Sequence, residues 1–178
     1  MNSENLERAR CSLDGLSVGD AFGERFFLRG DVLLQMIESR AVPRAPWRYT
    51  DDTEMALAIF DVLSRNARID RDQLAAAFGR RYLRDRMRGY GGTAHEILEQ
   101  IGHGLPWQEV SRAVFDGTGS MGNGGAMRAA PIGAYFAGDP ERAAEEARAS
   151  AEVTHAHPEG QAGAIAIAVA ASWAAVAQ

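Results

Sequence analysis

Apolar residues recur along this chain at three- and four-residue intervals, the spacing of one helix face, and no stretch alternates with the period of two that marks a strand. After Ser3, a residue type that caps helix starts, Leu6, Ala9, Leu13 and Leu16 follow that spacing. A second helix is predicted over residues 31–39, with Val32, Leu33, Met36 and Ile37 on one side. Pro43, Pro46 and Trp47 then make residues 40–49 a loop. A strong helix follows Thr50, its apolar side formed by Met55, Leu57, Ala58, Ile59, Val62 and Leu63, and another covers residues 70–84 with Leu74, Ala77, Phe78, Tyr82 and Leu83. The glycine-rich turn at 87–92 leads into Thr93 and Glu96, spaced as a capping box ahead of Ile97, Leu98 and Ile101. Pro106, Pro140 and Pro158 each suit the first turn of a further helix, running to Phe115, to Val153 and into the alanine-rich end. The pattern predicts an all-α chain forming one domain over residues 1–178.

Composition sharpens that picture. A chain of 178 residues with 46% hydrophobic and 24% charged residues has the make-up of an ordinary globular protein. At this length a domain buries roughly 70% of its unfolded surface and needs no disulfide or metal to fold. Of the 32 alanines, 20 lie after residue 125, so the helices of that part are expected to approach closely. The last helix is apolar around much of its circumference and has no stop signal before Gln178, so the fold is expected to continue past the chain.

The apolar run at 162–177 is too short and too weakly hydrophobic for a membrane span. A net charge of −5 argues against a binder of nucleic-acid backbones. Neither a membrane nor a nucleic acid is an expected partner. All 19 basic residues are arginine, which removes every lysine-based chemistry. Cys11 is the only cysteine and the polar N-terminus does not resemble a signal peptide, so a cytoplasmic chain is expected.

Four segments could carry chemistry. Thr50, Asp51 and Asp52 supply hard oxygen donors of the sort Mg²⁺ takes, while the plainer reading makes them a helix cap with first-turn acids. Residues 117–128 (GTGSMGNGGAMR) hold five glycines up to Gly125, enough to bring backbone amides against an anion, although a tight turn uses glycine too. His155 and His157 precede a helix at a spacing that is not a usual zinc pattern. Asp20 and Glu24, in the GDAFGERFF segment, are candidate outer ligands or a helix end. His95 and His103 read as structural.

Taken in order, GLSVGDAFGE, YTDDTEMALAI, the GYGG turn, SMGNGGAMRAAPIG and THAHPEGQAGAIA resemble the ADP-ribosylglycohydrolase family over residues 15–168. The resemblance implies an orthogonal multi-helix bundle with a binuclear Mg²⁺ site that holds ADP-ribose and hydrolyses its bond to a protein side chain. It implies Thr50, Asp51 and Asp52 as metal ligands, and Gly91, Gly119, Ser120, Met121, Gly122, Asn123 and His155 as ligand-binding residues. Asp51, Asp52 and Glu24 would serve catalysis.

Two departures accompany it. The family's catalytic glutamate falls at Phe27, with Glu24 one turn earlier as its substitute. The later Asp-x-Asp-Thr-type segment that completes the family's metal site has no counterpart, Asp139 being the last aspartate. The resemblance therefore implies an N-terminal portion of the family domain. The rival expectation is a non-catalytic ADP-ribose-binding or structural relative; a helical interaction module is a third.

Overall fold

The computed structural model describes residues 3–177; Met1, Asn2 and the chain-end Gln178 lie outside the described residues. Among those residues there are nine α-helices and no strand. They are α1 (Ser3–Gly23), α2 (Gly30–Glu38), α3 (Asp51–Asn66), α4 (Arg71–Arg84), α5 (Gly92–Gly102), α6 (Trp107–Ala113), α7 (Ala130–Tyr135), α8 (Pro140–Glu152) and α9 (Pro158–Ala174). Short 3-10 turns at Glu24–Phe26 and Asn123–Gly125 interrupt the loops.

Two packed groups share one core. α3, α4 and α5 interleave Ile59, Leu63, Leu74, Phe78, Ile97 and Leu98, all essentially removed from water. α7, α8 and α9 form the second group, and α1 lies against both α3 and α7. Burying each such large aliphatic or aromatic side chain contributes roughly 1.5–3 kcal/mol, so the first group rests on side-chain volume. The second rests on close approach, with Ala143, Ala147, Ala164 and Ala168 fully buried. Glu146 of α8 ties the groups together, accepting from the Ile69 amide at 2.6 Å while pairing with Arg142.

Helix ends follow local chemistry where a side chain is available. Asp70 caps α4 through the Gln73 amide, and Asp139 caps α8 through the Arg142 amide. The His157 ring does the same for α9, accepting from the Glu159 amide at 3.1 Å. The capping box expected at Thr93 and Glu96 does not form. α5 begins two residues earlier than that box requires, at Gly92, so Thr93 is already inside the helix and Gly91 occupies the cap without a side chain.

α2 forms where the pattern places it, yet it buries none of its residues, and Val32, Leu34 and Ile37 stay exposed. On α9, Ala164, Ala168 and Ser172 face inward while Ile167 and Trp173 remain exposed. No helix among the described residues is long and apolar enough to cross a membrane.

The α7–α9 contact predicts two opposite responses to adding one methyl group. A Cβ on Gly133 would collide with the Ala168 carbonyl oxygen and lie 2.7 Å from Ala171 Cβ. Gly15, exposed on α1, has nothing within 4 Å of its would-be Cβ. Gly133→Ala is expected to cost about 3 kcal/mol through overpacking. Gly15→Ala is expected to stabilise by about 1 kcal/mol through helix propensity. Chemical denaturation of the two variants checks both signs.

Candidate functional site

The site is built outward from the start of α3. Thr50 occupies the cap position, but its own side chain does not cap the helix. That role falls to Asp20, in the last turn of α1. Its carboxylate accepts from Thr50 N at 2.8 Å, Thr50 Oγ1 at 2.5 Å, Thr53 N at 3.2 Å and Thr53 Oγ1 at 2.6 Å. An anion on the open amides of a helix N-terminus is well placed electrostatically. Asp20 is thus a cap delivered from another helix, its oxygens engaged by the two threonines.

The same turn is held as firmly from its other side. Glu54 is buried and accepts from Arg81 Nη1 and Arg84 Nη2, both at 2.7 Å, and from the Tyr49 hydroxyl at 3.1 Å. Gly89, with φ +83°, packs against Thr50: a Cβ built on it would lie 3.3 Å from Thr50 Cβ, a tight contact in a backbone conformation that favours glycine. Between these anchors sit Asp51 and Asp52. Burial raises the Asp51 pKa above its ordinary value, and the neighbouring Asp20 charge adds to that. Burial, then Asp20 and Asp51, push Asp52 up to about 6. The carboxylates crowd one another in a poorly solvated corner, an arrangement that a cation would relieve.

A cavity of ≈ 250 Å³ opens beside Asp51. It gathers Gly91 from the start of α5, Ser120, Gly122 and Asn123 from the glycine loop, and His155 from the link between α8 and α9. Met55, Ile97, Leu98 and Phe115 give it an apolar wall. Arg128 and Thr154 close its floor, neither of which stood out in the sequence. Arg128 is 0% exposed, its guanidinium 4.5 Å above the Phe78 ring. Burial pushes its pKa down to about 9, opposed by the Asp51 charge, so it stays cationic at neutral pH.

Other candidates fall outside this cavity. Gly119 is buried against Ala156 and the His157 amide at φ +81°, so its role is to let the loop pass the start of α9. Met121 is 60% exposed and does not line the cavity. Thr50 and Glu24 line a neighbouring recess with Arg48, Tyr49 and Arg88. Asp52 borders neither but lies close enough to Glu24 to feel its charge. Phe27, where a glutamate is expected, is 85% exposed.

The residues offer a partial fit to a hard cation. Thr50, Asp51 and Asp52 have suitable oxygens, yet no group of three or more His, Cys, Asp or Glu side chains is poised to hold a metal among the described residues. His95 bonds the Tyr82 hydroxyl through Nδ1 at 3.0 Å and packs on Tyr90, in keeping with a structural role.

The sequence model for ADP-ribosylglycohydrolase matches residues 1–178. This chain belongs to the ADP-ribosylglycohydrolase family. ADP-ribosylhydrolase ARH3 of Xenopus tropicalis is 34% identical over 98% of the chain and 52% of its own length. The human protein of that name is 33% identical over 92% of the chain and 48% of its own. The ADP-ribosyl-[dinitrogen reductase] glycohydrolase of Rhodospirillum rubrum is 29% identical, covering 85% and 52%. The chain thus spans about half the length of the curated relatives it matches.

Two predictions follow from the electrostatics. Asp20→Ala removes a cap and strands four donors, so it is expected to lower stability by about 2 kcal/mol or more, measured by urea denaturation. The second concerns His155, whose pKa burial and the Arg128 charge drive down to about 3. Its folded form binds fewer protons than the unfolded chain below the ordinary histidine value, so its stabilising contribution is complete above pH about 6.5 and declines as pH falls toward 3. Asp52 acts in the opposite sense, since its raised pKa costs most above pH about 6 and that cost is relieved on acidification. His155→Gln is expected to shrink the drop in melting temperature between about pH 7.5 and about pH 5. An unchanged drop would remove His155 as its source.

Proposed function

We propose that this chain binds ADP-ribose and serves in Mg²⁺-dependent hydrolysis of the glycosidic bond joining ADP-ribose to a protein side chain. The observation that carries the reading is the convergence of Asp51, Gly91, Ser120, Gly122, Asn123 and His155, scattered over a hundred residues of sequence, on one cavity. The names of the relatives, which concern ADP-ribosyl hydrolysis, support it.

In this reading the glycine loop takes the anionic and hydroxyl-rich part of the ligand, since Gly122 and Gly124 leave the backbone bare beside the His155 ring. The apolar wall of Met55, Ile97, Leu98 and Phe115 accepts a flat ring and excludes water. Thr50, Asp51 and Asp52 would hold Mg²⁺, which when bound supplies Lewis-acid orientation of ribose hydroxyls and of a water. A carboxylate accepts that water's proton; Asp51, Asp52 and Glu24 are the groups assigned to this work. An ADP-ribosylated protein is then the partner.

Phe27 favours a second reading. Its exposed ring stands where the resemblance calls for a carboxylate, which fits a relative that binds ADP-ribose without cleaving it.

Calorimetric titration with ADP-ribose, in Mg²⁺ and again in EDTA, tests the proposal. Saturable binding that needs Mg²⁺ and is lost in Asp51→Ala is the expected result. Absence of binding in both buffers would overturn it, and equal binding in both would remove the metal. Release of ADP-ribose from a modified protein separates the hydrolase from the non-catalytic relative.

A further inference from the structure

The floor of the cavity holds a chain of polar groups that the proposed chemistry leaves unused. Arg128 Nη2 donates to Thr154 Oγ1 at 2.9 Å and to the Ser150 carbonyl at 2.9 Å. Thr154 Oγ1 lies 2.8 Å from His155 Nδ1. Arginine can only donate, so one hydroxyl lone pair is taken and the threonine proton is left to be given. Thr154 is buried, and His155 Nδ1 is the group recorded beside its hydroxyl that is able to accept that proton. A protonated imidazolium is opposed by its burial and by the arginine charge close behind it. In the neutral ring one nitrogen accepts and the other donates.

We infer that Arg128, acting through the Thr154 hydroxyl, locks His155 in the tautomer protonated at Nε2, so that the ring offers the cavity one neutral N–H donor. Arg128 and Thr154 are positioning residues. The donor faces the glycine turn: a Cβ built on Gly124 would lie 3.1 Å from Nε2, and one on Gly122 would lie 3.6 Å away. Glycine at both positions keeps that approach open. The ring then selects an oxygen acceptor, a phosphoryl oxygen or an ether or hydroxyl lone pair, and discriminates against a ligand that presents a donor there.

The inference deepens the ADP-ribose reading and rests on it only for the identity of the acceptor. Long-range ¹⁵N–¹H correlation spectra of the ¹⁵N-histidine-labelled full chain at neutral pH read the tautomer without any ligand. His155→Gln identifies the resonances among the four histidines. The wild-type ring is expected to show an unprotonated Nδ1 and a protonated Nε2. Thr154→Val is expected to lose that signature and Thr154→Ser to restore it. Protonation at Nδ1 in the wild type, or an unaltered tautomer in Thr154→Val, would overturn the assignment.

ADP-ribose affinity forms a second arm. Thr154→Val is expected to weaken it about tenfold, the loss of one well-placed hydrogen bond, and Thr154→Ser to recover it. Equal affinity in all three would overturn the positioning role. A wild-type ring protonated at Nε2 in a chain that does not bind ADP-ribose would support the tautomer and overturn the ligand.

Discussion

One carboxylate organises this molecule. Asp20 reaches from the end of α1 to the first turn of α3 and takes four hydrogen bonds from Thr50 and Thr53. A helix N-terminus with two aspartates in its first turn already concentrates negative charge, and a third carboxylate there repels both. The arrangement persists because those donors and the helix dipole hold Asp20 in place. Its consequence is that the acidic turn cannot relax toward solvent. On the far side Glu54, gripped by Arg81 and Arg84, fastens the same turn to α4.

A similar tension governs the cavity floor. A fully buried arginine is costly unless its charge is answered, and among the described residues Arg128 has no carboxylate in direct contact. It is answered piecemeal by the Phe78 ring, a carbonyl, a hydroxyl and the more distant Asp51 charge, while its Nε finds no hydrogen-bond partner among the described residues. The glycine loop and the acidic turn, separate in sequence, are therefore coupled through a cation lying beneath both.

Much of this is legible in the sequence. The helical spacing of Ile59, Leu63, Leu74, Phe78, Ile97 and Leu98 identified the core faces, because those residues have one way to leave water. Pro140 and Pro158 marked helix starts, since proline loses nothing at a first turn. What escaped depended on distant partners. α7 is only six residues long and sits within a segment read as motif. Arginine is ordinarily exposed, so nothing local distinguishes Arg128 from its eighteen counterparts. Asp20 reads as an outer ligand or a helix end, and it lies in the last turn of α1; its capping of α3 is invisible locally because its threonine partners lie 30 and 33 residues ahead. The Thr93 capping box failed for a local reason, as Gly91 and Gly92 admit the helix before the threonine.

The two packed groups differ in how they can drift. Where Phe78, Leu74 and Ile97 meet, a gain of volume on one helix can be matched by a loss on its neighbour, so many combinations fill the same space. Where α7 meets α9, the backbones themselves touch at Gly133, and there is no side chain to trade. Inherited variation should accumulate in the first group as compensated exchanges of core residues. In the second it is confined to the outward faces, leaving a seam of glycine and alanine whose composition is dictated by distance rather than by chemistry.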